Sequence, residues 1–153
     1  MGFIICSIMI TYHNQDIKFI FSGKRIINRW IRQVVDIESN NTFFVGDIAF
    51  IFCSDKYILE INTKYLNHKH YTDVITFNNN EGNVLNADVF IGVETVKVNS
   101  ELFNTTFLNE LNRVIIHSIL HLLGYNDFLK SDKSIMKAKE DFYLDLLKAK
   151  YDI

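Results

Sequence analysis

Residues 101–127 read ELFNTTFLNELNRVIIHSILHLLGYND, and this stretch decides the fold. From about Glu101 to Leu123 the apolar residues recur at helical spacing and cover much of the circumference. A helix apolar on most sides is surrounded by protein, so it belongs in the middle of a domain. Asn104–Thr106 is the expected break, with Thr105 or Thr106 capping the second piece. Gly124 suits the left-handed position that ends a helix.

The flanking sequence supplies partners for such a helix. Residues 2–21 are rich in β-branched and aromatic side chains with a polar turn at His13–Gln15, which predicts a hairpin or one long strand. Lys24–Glu38 predicts an amphipathic helix: Ile26, Ile27, Trp30, Ile31, Val34 and Val35 face in, and Lys24, Arg25, Arg29 and Arg32 face out. Asp47–Cys53 reads as a buried strand. Ser54 or Asp55 caps a helix reaching about Leu66, with Ile58, Leu59, Ile61 and Tyr65 inward. Thr72–Phe77 and Val84–Val93 read as two further strands, and Asp132–Lys150 as a last amphipathic helix. Helices interleaved with strands give an α+β (α/β-like) class: one mixed sheet of about four strands covered by helices, in a single domain over 1–153.

Composition narrows the function classes. An apolar share of 48% excludes global disorder, and a net charge of −2 excludes a generic polycation that coats nucleic acid. Cys6 and Cys53 are far apart and form no CxxC pair, which fits a reducing compartment. The apolar run Met1–Ile10 is too short to span a bilayer and lacks the flanks of a signal peptide, so a cytoplasmic protein without a membrane partner is expected.

The chemistry lies at the end of the central helix. His117 and His121 are four residues apart, so their side chains leave one face a single turn apart and can bind one metal ion. Gly124 lets the chain double back, and Asp127 can return a carboxylate to the same point. Two imidazoles and a carboxylate are a ligand set of catalytic zinc, and three protein ligands leave a position for water. The His pair alone is a weak signal; Gly124 and Asp127 at these offsets sharpen it. The spacing H-x3-H-x2-G-x2-ligand matches the metzincin zinc site, whose peptidases carry Glu directly after the first His as general base. Here that position is Ser118, so a peptidase lacks its base.

Beyond this motif the sequence resembles the YbeY endoribonucleases, the bacterial ribosomal-RNA maturation factors. Their signature H-G-x-L-H-L-x-G-Y-D-H is similar to His117–Asp127. Asp47–Phe52 looks like the family's second strand. Ile61, Asn62, Tyr65 and Leu66, then Tyr71–Phe77, look like its N-x-x-Y-R…T-D-V-L-S-F segment. Ala87–Ile91 looks like its G-D-I-x-I-S strand, Glu110–Val114 like the run into the His helix, and Met136 with Glu140 like its M-x-x-x-E. The third ligand is usually His; Asp127 resembles a Bacteroidetes-like branch with Asp there. Two other departures are Ser118 for the Gly after the first His, placing a side chain near the metal-facing side, and Leu66 for an arginine thought to hold RNA.

The resemblance implies a zinc-dependent, single-strand-preferring endoribonuclease acting in ribosomal RNA maturation and ribosome quality control, with one Zn2+ on His117, His121 and Asp127. Attack would come from metal-activated water or from the RNA 2′-hydroxyl. Ribosomal RNA and the small subunit or its proteins are the implied partners. Two other readings stand beside it: a non-catalytic zinc-stabilised ribosome-assembly factor, and another metal-dependent hydrolase. Candidate substrate contacts are His68 and His70, which read first as solvated loop residues and second as phosphate contacts, and Lys130 and Lys133, with Lys137 and Lys139 nearby. Lys24, Arg25, Arg29 and Arg32 are a solvated face or one wall of an RNA groove. Asp88 is expected to be structural or to orient a ligand imidazole, Met136 to floor the metal or fill the core, and Tyr125 to pack at the helix end.

Overall fold

The computed structural model describes residues 8–67 and 72–153. In chain order it runs β1 (Ile10–Asn14), α1 (Lys24–Ser39), β2 (Phe44–Cys53), α2 (Asp55–Leu66), β3 (Val74–Asn78), β4 (Val84–Gly92), α3 (Val93–Leu102), α4 (Phe107–Leu122) and α5 (Lys130–Tyr151). The four strands form one mixed sheet in the order β1-β2-β4-β3, parallel except for the β3–β4 pair. This is the expected α+β class. Parallel neighbours need a long crossover, and α1 supplies it between β1 and β2.

The core is built where the apolar periodicities meet. α1 buries Ile27, Trp30, Ile31, Val34 and Val35 and leaves Lys24, Arg25, Arg29 and Arg32 exposed. The buried Trp30 indole donates to the Tyr143 carbonyl at 2.9 Å, which ties α1 to α5. α4 buries Leu111, Val114, Ile115, Ile116, Ile119 and Leu120. It packs against α3 and α5, against β3 and β4, and against α1, as a central helix must. Thr106 caps it by accepting from the Asn109 N–H at 3.1 Å. No helix of the described residues is long and apolar enough to cross a membrane.

Three local expectations are corrected. The strand that starts near the N-terminus stops at Asn14 rather than continuing to residue 21: the Asn14 side chain closes a turn on the Phe19 carbonyl at 2.8 Å, and Phe19 and Phe21 pack on Phe52 from irregular chain. Val93 opens α3 instead of ending a strand, because the Asp55 carboxylate caps it through Thr95 N–H at 3.1 Å while Glu94 accepts from Asp55 N–H at 2.9 Å. Tyr65 does not face in; it is exposed, with its ring edge-on to Phe77 at the border of the sheet.

Candidate metal centre

α4 holds His117 and His121 rigidly because the surrounding residues of the helix are core. The two rings lie 4.4 Å apart between centroids and are partly open to solvent. The chain then reverses in a Schellman turn: Tyr125 N–H donates to Leu120 O at 3.0 Å and Gly124 N–H to His121 O at 3.0 Å. Gly124 takes φ +102, a conformation that side chains strongly disfavour. The reversal brings Asp127 Oδ2 to 3.5 Å from His117 Nε2 and 3.6 Å from His121 Nε2, and the two Nε2 atoms stand 2.9 Å apart.

These three atoms fit one small cation. Ligand atoms about 2.0–2.1 Å from a tetrahedral ion stand roughly 3.3–3.4 Å from one another. The observed separations of 2.9, 3.5 and 3.6 Å bracket that spacing. His117, His121 and Asp127 form a group of donors that could hold a metal ion. The donor set of two nitrogens and one carboxylate oxygen suits several first-row ions, zinc among them.

Hydrogen bonds set which ring nitrogens carry protons. His117 Nδ1–H donates to Glu140 Oε2 at 2.7 Å, and His121 Nδ1–H donates to the Tyr125 carbonyl at 2.8 Å. The remaining Nε2···Nε2 contact therefore needs one proton, on His117. Burial opposes the His117 imidazolium, but the Glu140 hydrogen bond and charge outweigh it and raise the pKa above its ordinary value; burial and the neighbouring His117 charge lower that of His121.

The groups that orient the imidazoles differ from expectation. Glu140, from α5, holds His117; its other oxygen accepts from Arg113 Nη1 at 3.1 Å, and Arg113 Nη2 donates to Asp141 at 2.7 Å. Asp88 does not have this role: it is exposed on β4. Ser118 is not near the metal-facing side either. One residue beyond His117 it turns into the core, fully buried, and donates to the Ile115 carbonyl at 2.6 Å. Met136 is a core residue that also lines a cavity beside His117.

Tyr125 does more than pack. Its hydroxyl donates to Glu38 Oε2 at 2.6 Å, and Glu38 Oε1 accepts from Lys139 at 2.9 Å and from the Tyr143 hydroxyl. A buried carboxylate on α1 thus anchors the residue whose carbonyl orients His121. Burial would push the Glu38 carboxyl up, but the two hydroxyls and Lys139 outweigh it and hold it below the ordinary range. The resulting stability is present above about pH 4.5 and is lost as pH falls through the lower folded-state pKa. Glu38→Gln is expected to cost about 1–3 kcal/mol at pH 7. In urea melts that penalty should shrink towards pH 3; a penalty that stays constant with pH would show that the charge is not what matters.

Two cavities meet at His117 and Asp127. One, of about 430 Å³, runs along β3 and α2; the other, of about 620 Å³, lies between α4 and α5. Asp73 and Glu110 are carboxyls beside this junction that the sequence reading did not single out for chemistry. Burial pushes both up from the ordinary range. Both lie in stretches that resemble the family's segments, but residue spacing alone does not bring either to the His pair. Lys133 lines the second cavity and Lys130 is exposed at the start of α5. Lys137 and Lys139 pair with Asp141 and Glu38. His68 and His70 lie outside the described residues.

Comparison with known proteins agrees with this geometry. A family model described as Endoribonuclease YbeY matches residues 9–148. A protein named Endoribonuclease YbeY from Karelsulcia muelleri is 46% identical over 143 residues, covering 94% of this chain and 99% of its own. One of the same name from Bacteroides fragilis is 48% identical over 139 residues, covering 91% and 98%. The solution structure of TM1509 from Thermotoga maritima superposes with a TM-score of 0.62 at 25% identity, over 94% of this chain and 92% of that one.

Proposed function

The chain belongs to the endoribonuclease YbeY family, and on that premise we propose that it hydrolyses RNA phosphodiesters at one zinc ion held by His117, His121 and Asp127. The observation that carries this reading is the three-atom ligand set at a junction of two open cavities. Bound there, the ion would polarise a phosphoryl oxygen and make a water acidic enough to react near neutral pH. Residues 1–153 act as one catalytic domain, on single-stranded RNA in ribosomal RNA maturation and ribosome quality control. The cytoplasm and the ribosomal small subunit are its proposed setting.

The chain's own residues divide the work. Glu140 and the Tyr125 carbonyl fix the tautomers that leave both Nε2 atoms facing Asp127. Asp73 lines the cavity along β3 beside His117, and its raised pKa keeps a proton on the carboxyl further up the pH scale than usual. That suits a group giving a proton to the departing oxygen. Lys130 and Lys133 supply phosphate contacts on the α5 side, and His68 and His70 are further candidate substrate contacts.

The test is cleavage of single-stranded and duplex RNA by protein stripped with a chelator and reloaded with zinc. Cleavage that is lost on stripping, returns on reloading and favours the single strand is expected. Product ends separate the two nucleophiles: a linear phosphate follows attack by water, a cyclic one attack by the 2′-hydroxyl. Zinc-loaded protein that binds RNA and leaves it intact would overturn the reading in favour of an assembly factor.

A further inference from the structure

We propose that the cavity bounded by α2, β3 and the Asp127 loop is a nucleobase subsite, in which Phe128 and Leu66 cover the base beside the cleaved phosphate; the inference rests on the endoribonuclease reading above. Charge separates the two cavities that meet at the candidate metal centre. The one between α4 and α5 carries Arg113, Lys133 and Lys137 beside Glu110 and Glu140; Arg113 and Lys137 are ion-paired, and Lys133 has no ion pair among the described residues. The one along β3 carries, among the described residues, no lysine or arginine, and it includes the carboxyls of Asp73 and Asp127. Lys133 offers a phosphate in the first cavity a cation, and the described lining of the second offers no lysine or arginine. A strand laid across the junction therefore keeps its backbone on the α5 side and turns a base into the β3 side.

That side is built for a flat apolar group with polar edges. Phe128, one residue after Asp127, is 83% exposed, and Leu66, at the end of α2, is 42% exposed; both line the cavity and neither joins the core. Phe128 follows the turn that Tyr125 anchors to Glu38, next to the candidate ligand Asp127. Behind the apolar lips, β3 is the edge strand of the sheet, and among the described residues no further strand bonds its outer peptide groups. Those groups, with Thr76 and Asn78, can meet the edge of a base. Single-stranded RNA is commonly held in this way, by stacking splayed bases on aromatic side chains.

The experiment measures cleavage of a short single-stranded RNA by zinc-loaded protein, using Phe128→Ala, Phe128→Trp and an RNA whose nucleotide next to the cleaved bond is abasic. Phe128→Ala is expected to raise KM by about five- to 100-fold, with zinc content and circular dichroism as in the parent. Phe128→Trp should restore the parent KM. The abasic RNA should raise the KM of the parent by a similar factor and leave that of Phe128→Ala unchanged, because both remove the same stack. An unchanged KM in Phe128→Ala, or two penalties that multiply, would overturn the subsite while leaving the nuclease intact. A parent protein that cleaves no RNA would overturn the nuclease reading and the subsite with it.

Discussion

Asp127→Ala is expected to lose its metal ion on dialysis and to cleave RNA more than about a thousandfold more slowly than the parent. A bound ion contributes several kcal/mol to the transition state of a phosphoryl or acyl transfer, and each 1.4 kcal/mol is about tenfold in rate. Two imidazoles remain in the variant, 2.9 Å apart, with no third ligand atom beside them. Metal content by mass spectrometry and initial cleavage rates check this directly. Asp127→His supplies a neutral third donor and should recover the ion. Its site carries one more positive charge, so coordinated water becomes more acidic and the rising limb of the pH–rate profile should move to lower pH. In the parent, metal binding must expel the Nε2 proton of His117. Apparent affinity should therefore rise with pH, up to a His117 pKa above the ordinary 6.5 and then level off. Parent-like zinc content and turnover in Asp127→Ala would remove this carboxylate from the site.

What could be read from the sequence was local. His117 and His121 were legible because four residues make one helical turn, and Asp127 because Gly124 forces a reversal at the right distance. The direction of Ser118 follows from the same periodicity: one step round the helix from His117 it must point into the core, where it is found. The sequence reading placed it beside the metal through its likeness to the family's glycine. α3 was hidden because Val93, Val96 and Val98 favour a strand by propensity, and what makes it a helix is a cap from Asp55, 40 residues away. Glu140 and Glu38 were illegible as orienting groups for a similar reason. Each reaches the site only because α5 and α1 pack across α4, and no short-range pattern encodes such a meeting. Asp88 was a reasonable choice by strand position, but its side chain is on the solvent side.

Glu140 joins stability to chemistry, and its removal should separate the two. The side chain is buried, with one oxygen on His117 and the other on Arg113. Glu140→Ala leaves His117 Nδ1–H without its acceptor, so the ring is free to rotate or to take the other tautomer. Loss of such an outer partner weakens metal binding by about 10- to 100-fold, which chelator competition measures. Arg113 loses one of its carboxylates but keeps Asp141 and remains partly exposed, so the stability cost should be about 1–3 kcal/mol rather than that of a fully orphaned buried charge. Glu140→Gln discriminates further. Its amide oxygen can still accept from His117, but its NH2 then faces the Arg113 guanidinium, a donor against donors. The glutamine variant should therefore keep most of the metal affinity and lose most of the stability that Glu140→Ala loses. If both variants bind zinc as the parent does, His117 is oriented by its helix alone; if both lose affinity equally, it is the charge of Glu140, and not its place as an acceptor, that sets the imidazole.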